Sequence, residues 1–87
     1  MTHSIGEIEW DETDQTHVVG RLRIYPEFGG RVNYELHIHW SEDEPTAWCE
    51  MRYAFGDNEP HAGASFREET IEAAKTALAR QIELEWR

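Results

Sequence analysis

Residues 32–40 alternate strictly between apolar and polar side chains, and this alternation restricts the fold more than any other feature. The apolar set is Val32, Tyr34, Leu36, Ile38 and Trp40. The intervening polar set is Asn33, Glu35, His37 and His39. Successive side chains of a β-strand point to opposite faces, so a period of two predicts a strand with one buried face. We therefore expect the apolar set to lie in a core and the polar set to face outward.

The same alternation recurs on both sides of this segment and predicts three further strands, at residues 6–10, 18–24 and 47–55. A proline and two glycines within residues 26–30 predict a turn between the strands at 18–24 and 32–40. An acidic stretch that ends in Pro45 predicts the turn between the strands at 32–40 and 47–55. Connections this short favour antiparallel neighbours. The sequence therefore predicts a four-stranded antiparallel β-meander.

The C-terminal part of the chain shows helical periodicity instead. Residues 56–63 have the composition of a loop, and Ser65 with Glu68 forms a capping-box pattern that predicts a helix beginning at Phe66. An apolar stripe follows at spacings of three and four, made of Ile71, Ala74, Leu78, Ile82 and Trp86. We predict an α+β fold (ββββα), a single domain over residues 1–87, with this helix packed on the apolar face of the meander. The large side chains expected in its core are Trp10, Trp40, Met51 and Trp86.

Hydrophobic matching across the predicted meander determines which residues are neighbours, because a one-residue slip moves every side chain to the other face. The matched apolar pairs are Trp10 with Val18, Val18 with Ile38, and Ile38 with Cys49. On the outward face this register aligns Glu7, Arg21, Glu35 and Arg52 in one row. Their charges alternate in sign, and opposite charges across antiparallel strands contribute roughly 0.2–1 kcal/mol each, which supports the register.

Three histidines come together on the outward face in this register. The next two rows contain Glu9, Val19, His37 and Glu50, and then Asp11, His17, His39 and Trp48. Alternate residues of a strand share one side, so His17, His37 and His39 are candidate ligands for Zn²⁺. The same histidines with Glu50 could instead perform acid–base catalysis in a small enzyme. A third interpretation is that a solvent-facing strand takes polar residues at these positions.

The charge of the chain excludes several classes of function. The sequence contains 18 acidic and 8 basic residues and has a formal net charge of −10, which argues against direct binding to nucleic acid or to an anionic membrane. We expect no signal peptide, and no apolar run approaches the roughly 18 residues that a membrane helix needs. Cys49 is the only cysteine, which fits a reducing cytoplasm. Because phosphate-binding loops and nucleophile motifs are missing, we assign no catalytic residue.

Acidic side chains concentrate on two loops that strand direction places at one end of the predicted sheet. These residues are Asp11, Glu12, Asp14, Glu42, Asp43 and Glu44. Neither loop has the regular carboxylate ladder of a calcium site, and charge of this kind also serves to keep a surface solvated. We expect these carboxylates, with Trp48 as an outward-facing aromatic anchor, to bind a basic or nucleic-acid-binding protein.

A small, acidic, aromatic-rich α+β chain without a catalytic signature resembles phage-encoded inhibitors of bacterial defence, the anti-CRISPR proteins in particular. Several of these proteins are a β-meander with one helix, and some imitate nucleic acid with carboxylates; small antitoxins have a similar composition. The resemblance implies a non-enzymatic inhibitor, acting in the host cytoplasm if the chain is phage-encoded. The alternatives are the Zn²⁺-dependent or acid–base enzyme described above and a homodimer joined through Trp48 or an exposed edge strand.

Overall fold

Antiparallel strands followed by a helix make up the computed structural model, which describes residues 4–14 and 16–86. The elements are β1 (Ser4–Ile5), β2 (Glu9–Asp14), β3 (His17–Tyr25), β4 (Val32–His39), β5 (Ala47–Phe55), β6 (His61–Glu68) and α1 (Ile71–Glu85). The strands lie in the order β1, β3, β4, β5, β6, and β2 also pairs with β3. Since β1 and β2 occupy the same edge in succession, the sheet has five strand positions. The predicted α+β class with an antiparallel sheet and a C-terminal helix is confirmed, but the predicted number of four strands is one too low.

The additional strand is β6, which lies where the sequence predicted a loop and the first turn of the helix. Residues 61–68 pair with β5, with Ser65 opposite Glu50 and Phe66 opposite Cys49. The prediction that the helix begins at Phe66 is therefore wrong. The helix begins at Ile71, and the Thr70 Oγ1 atom accepts a hydrogen bond from the backbone N–H of Ala73 at 3.0 Å. Main-chain pairing with the exposed edge of β5 outweighs the local capping-box pattern. This pairing joins residues far apart in sequence, so short-range sequence patterns could not reveal it.

The register of the three central strands follows the prediction, and the register of the edge strand does not. Val18 lies opposite Ile38, which lies opposite Cys49. Trp10, however, lies opposite Gly20 and not opposite Val18. A Cβ atom at Gly20 would stand 2.6 Å from the Trp10 ring, so the indole occupies space that only glycine leaves free. The predicted register matched apolar residues and took no account of the space that the indole needs. In the structure Glu9, and not Glu7 as predicted, therefore lies opposite Arg21.

The core lies between the sheet and α1. Its buried apolar residues are Val18, Leu22, Ile24, Val32, Tyr34, Leu36, Ile38, Ala47, Cys49, Met51, Ala74, Leu78 and Ile82. Trp10 and Trp86 pack against this cluster, as expected for core tryptophans. Trp40 does not, because it follows the last residue of β4, where strand alternation no longer dictates the direction of a side chain; it is exposed. No helix among the described residues has both the length and the apolar character needed to cross a bilayer.

Candidate functional site

The sheet face opposite α1, called the open face here, carries the three predicted histidines at neighbouring positions. His17 of β3 is the direct Cα partner of His39 in β4, and His37 lies two residues before His39 on the same strand. On the other side of β4, His39 is opposite Trp48 and His37 is opposite Glu50. These pairings agree with the predicted rows across β3, β4 and β5. On the edge strand the rows were wrong, because Asp14 and not Asp11 lies opposite His17, and Asp11 and not Glu9 lies opposite Val19. We call His17, His37 and His39 the histidine cluster.

The imidazole rings of the cluster stack on one another. Ring centroids are 4.9 Å apart for His17 and His37, 4.4 Å for His17 and His39, and 6.0 Å for His37 and His39, with interplanar angles of 25°, 17° and 8°. The Nε2 atom of His17 lies 2.7 Å from the Nδ1 atom of His37. One nitrogen from each of the three rings lies within 4.8 Å of the others. One nitrogen of each ring therefore lies in the same small region of the open face.

Two carboxylates hold the far sides of these rings. The Nε2 atom of His37 lies 2.6 Å from Glu35 Oε1, and the Nε2 atom of His39 lies 3.2 Å from Glu50 Oε2. An ionised carboxylate only accepts hydrogen bonds, so Nε2–H is the donor in both contacts and Nδ1 carries the lone pair of each neutral ring. Glu50 stood beside the histidines in the predicted rows. Glu35 was assigned only to the charged row, although its spacing of two residues from His37 already placed both on one face.

Local electrostatics favours the neutral form of His17. Burial lowers the pKa of His17, and the neighbouring imidazoles of His39 and His37 lower it further. The pKa of Glu50 is also lowered, first by the hydrogen bond from the Trp48 side chain and then by the one from His39. Neutral imidazoles beside ionised carboxylates are the protonation states in which histidine acts as a metal ligand.

The second predicted surface lies at the end of the sheet that contains the β2–β3 turn, the β4–β5 loop and the first turn of α1; we call it the acidic end. The pairing of His17 with His39 brings the first two segments together, and the pairing of Ala47 with Glu68 brings in the third. The carboxylates at this end of the sheet are Asp11, Glu12, Asp14, Glu42, Asp43, Glu44, Glu68, Glu69 and Glu72. The prediction that Asp11, Glu12 and Asp14 lie on a loop is wrong, because pairing with β3 continues as far as Asp14 and all three belong to β2. The end of β6 and the start of α1 add the negative charge of Glu68, Glu69 and Glu72 to this end of the sheet.

Contacts within the chain occupy some of these acidic groups. Glu12 forms an ion pair with Lys75, and Glu44 Oε2 lies 3.6 Å from Arg67 Nη1. Asp14 accepts hydrogen bonds from the backbone N–H and the hydroxyl of Thr16 at 2.9 and 2.8 Å, and these bonds lower its pKa.

Two carboxylates of the β4–β5 loop stand apart from this pattern. Glu42 and Asp43 are exposed and form no ion pair with any described residue. Together with Glu69 of the segment before α1, which is also exposed and without an ion pair among the described residues, they leave negative charge uncompensated at the acidic end.

Trp48 lies at the border between the histidine cluster and the acidic end. The Arg67 guanidinium lies over its ring at 5.3 Å from the centroid, and the Trp48 side chain also bonds Glu50. The indole is half-buried by these neighbours. A partner that used Trp48 as an anchor would first have to displace the Arg67 side chain.

Most arginines lie away from the acidic end, around a groove of about 670 Å³ on and beside the open face. The arginines that line it are Arg21, Arg23, Arg31 and Arg52. Glu7, Glu9 and Glu35 line the same groove. The Oε2 atom of Glu35 lies 3.9 Å from Arg21 Nε, and Arg31 reaches Asp57 at 3.3 Å. These arginines are scattered along the sequence, and the sheet brings them together. Arg67 and Lys75 remain at the acidic end, and Arg80 lines a shallow groove on α1 together with Glu68 and Glu72.

Comparison with known proteins gives no relative: no family model, curated sequence or solved structure matches the chain.

Proposed function

We propose that the protein is a non-enzymatic binding module whose acidic end docks on a basic or nucleic-acid-binding protein and inhibits it. The observation that carries this proposal is the convergence of three acidic segments at one end of the sheet while most arginines line a groove elsewhere. Opposite charges on a partner would be attracted over about 8–10 Å, the screening length at physiological ionic strength. Such attraction accelerates encounter and selects a basic surface over an acidic one.

The residues of the acidic end divide into two roles under this proposal. Glu42 and Asp43, exposed and without an ion pair among the described residues, supply the attraction. Glu12 and Glu44 already have the partners Lys75 and Arg67, so they keep the surface ordered and can exchange those partners for cations of the bound protein. The Arg67–Glu44 pair is exposed, and exposed pairs contribute only about 0–1 kcal/mol, so this exchange costs little. The Lys75 side chain is only 17% exposed, so Glu12 exchanges its partner less readily.

A binding role also agrees with the state of the one cysteine. Cys49 is fully buried, and burial raises the pKa of its thiol to about 11. A thiol in this environment is a poor nucleophile, because the thiolate is the reactive form. The resemblance to anti-CRISPR proteins and antitoxins supplies the inhibitory part of the proposal. Carboxylates held on a rigid sheet end would occupy sites where the partner otherwise receives phosphates.

The test compares two double charge reversals that change the net charge by the same amount. Glu42→Lys with Asp43→Lys alters the acidic end, and Glu59→Lys with Glu83→Lys alters exposed carboxylates outside it. Each protein is immobilised and exposed to the heparin-binding proteins of its source cells at about 50 and about 200 mM salt. Captured proteins are identified and assayed for binding to duplex DNA and to RNA.

The proposal predicts that the unaltered chain and the Glu59/Glu83 variant retain the same basic protein at low salt and release it at high salt. The Glu42/Asp43 variant should fail to retain it, and the retained protein should lose nucleic-acid binding in the complex. Equal retention by both variants, retention that is indifferent to salt, or a partner that still binds nucleic acid would contradict the proposal.

A further inference from the structure

We propose that His17, His37 and His39 form a binding site for one divalent transition-metal ion of the Zn²⁺ type on the open face of the sheet. The three rings offer nitrogens that lie within 4.8 Å of one another, and those of His17 and His37 are 2.7 Å apart. Nitrogens bound at about 2.0–2.1 Å to a tetrahedral ion lie about 3.4 Å from each other. The 2.7 Å separation is below this value and the 4.8 Å limit is above it. Because the rings now lie nearly parallel, they have to rotate about their side-chain bonds to direct all three lone pairs at one ion.

The hydrogen bonds at the far sides of the rings identify the ligand atoms. Because Nε2 of His37 faces Glu35 and Nε2 of His39 faces Glu50, both histidines present Nδ1 to the metal. His17 presents Nε2, the atom that now lies against His37 Nδ1. Carboxylates that accept from the distal nitrogen hold the ring tautomer and make the ligand more basic, an arrangement that accompanies most histidine ligands of zinc. Two of the three ligands therefore already have a carboxylate at the distal nitrogen. In the unbound cluster His17 Nε2–H donates to His37 Nδ1, so metal binding requires that this proton move to His17 Nδ1.

The backbone under the cluster is the most regular part of the fold. His17 and His39 are direct partners in the β3–β4 ladder, and His37 lies in the same uninterrupted ladder. The side chain of His37 is only 15% exposed, which limits competition from bulk water. Ligands on paired strands hold their geometry better than ligands on loops, so little ordering is required when the ion binds.

The chemistry of the donors determines which ions fit. Three imidazole nitrogens suit Zn²⁺, Co²⁺, Ni²⁺ and Cu²⁺, whereas Mg²⁺ and Ca²⁺ require oxygen ligands. Three protein ligands leave a fourth tetrahedral position for water, as in sites that keep an open coordination position. A stack of histidines that served only to keep this face polar would not need a carboxylate at the distal nitrogen of two of its members.

The experiment titrates ZnCl₂ into the full chain by calorimetry in chelator-free buffer and follows Co²⁺ by the visible absorption of its tetrahedral complex. One ion should bind per chain. His37→Ala and His39→Ala should abolish binding, and Glu35→Gln and Glu50→Gln should weaken it by roughly 10–100-fold. His61→Ala is the matched control, since His61 lies on β6 outside the cluster, and it should bind as the unaltered chain does. His39→Gln replaces His39→Ala if the alanine variant fails to fold.

A second readout checks the ligand atoms. Nitrogen NMR of the imidazoles should show metal coordination at Nδ1 of His37 and His39 and at Nε2 of His17. No binding of Zn²⁺ or Co²⁺ at micromolar protein, one ion shared by two chains, or equal losses for His61→Ala and His37→Ala would overturn the site. The Glu42/Asp43 charge reversal should leave the metal affinity unchanged, so the docking proposal and the metal site fail or succeed separately.

Discussion

Replacing Gly20 by alanine should destabilise the fold by displacing Trp10 from the sheet. The added Cβ would stand 2.6 Å from the Cε3 and Cζ3 atoms of Trp10 and 3.0 Å from the Cγ2 atom of Ile8. The nearer contacts are with a rigid ring, so the indole has to move as a unit. Inserting a methyl group into a packed site of this kind costs about 1–3 kcal/mol. We expect a loss in that range from urea unfolding followed by tryptophan fluorescence and by far-UV circular dichroism.

A control substitution and a double-mutant cycle test whether the loss arises from the contact between Gly20 and Trp10. In Gly63→Ala the added Cβ comes no closer than 3.3 Å to the flexible side chain and the backbone carbonyl of Met51. This variant should therefore lose less stability than Gly20→Ala. Trp10→Leu removes the ring, so adding Gly20→Ala to it should cost clearly less than adding it to the unaltered chain. Residues in direct contact show coupling of about 0.5–3 kcal/mol in such a cycle. Strictly additive losses would refute the claim that Gly20 exists to accommodate Trp10.

Two further predictions concern the helix start and the alkaline limit of stability. Thr70→Ala should lower the free energy of unfolding in urea by about 1 kcal/mol, because the Ala73 N–H loses its side-chain acceptor. Ser65→Ala should lower it much less. A larger loss for Ser65→Ala than for Thr70→Ala would support a helix that begins at Phe66. Burial raises the pKa of Tyr34 from 10.0 to about 12, so its contribution to stability is complete below pH 10 and disappears as pH rises through 12. The free energy of unfolding should therefore decrease by roughly 2–3 kcal/mol over this pH range, at 1.36 kcal/mol per pKa unit. The Tyr34→Phe variant should not show this decrease. An identical alkaline decline in Tyr34→Phe would show that other groups cause it.

The central strands were predictable because their two faces differ sharply. Alternation through residues 18–24, 32–38 and 47–51 fixed both the strands and their register, and the histidine cluster followed from parity alone. The edge strands were harder. Residues 61–68 contain small and polar side chains with no alternation, so only the unpaired edge of β5 makes them a strand. For β2, the size of one indole outweighed apolar matching.

The surfaces were predictable to a smaller extent, since their contacts join residues far apart in sequence. Strand direction placed the two acidic segments at one end of the sheet, although the segment with Asp11, Glu12 and Asp14 lies in β2 and not on the predicted loop. It could not show that Glu12 pairs with Lys75 or that Arg67 covers Trp48, because both contacts depend on where β6 and α1 lie. The missed contact between Glu35 and His37 is different, because a spacing of two residues on a strand could have revealed it.

Hydrogen exchange of the complex with its captured partner tests the docking proposal most directly. Amides of residues 40–46 and of the β2–β3 turn should exchange more slowly in the complex, because a docked protein excludes water from the acidic end. Amides near the arginine groove should exchange at the same rate with and without partner. Protection confined to the groove, or to the outer edge of β6, would contradict the account.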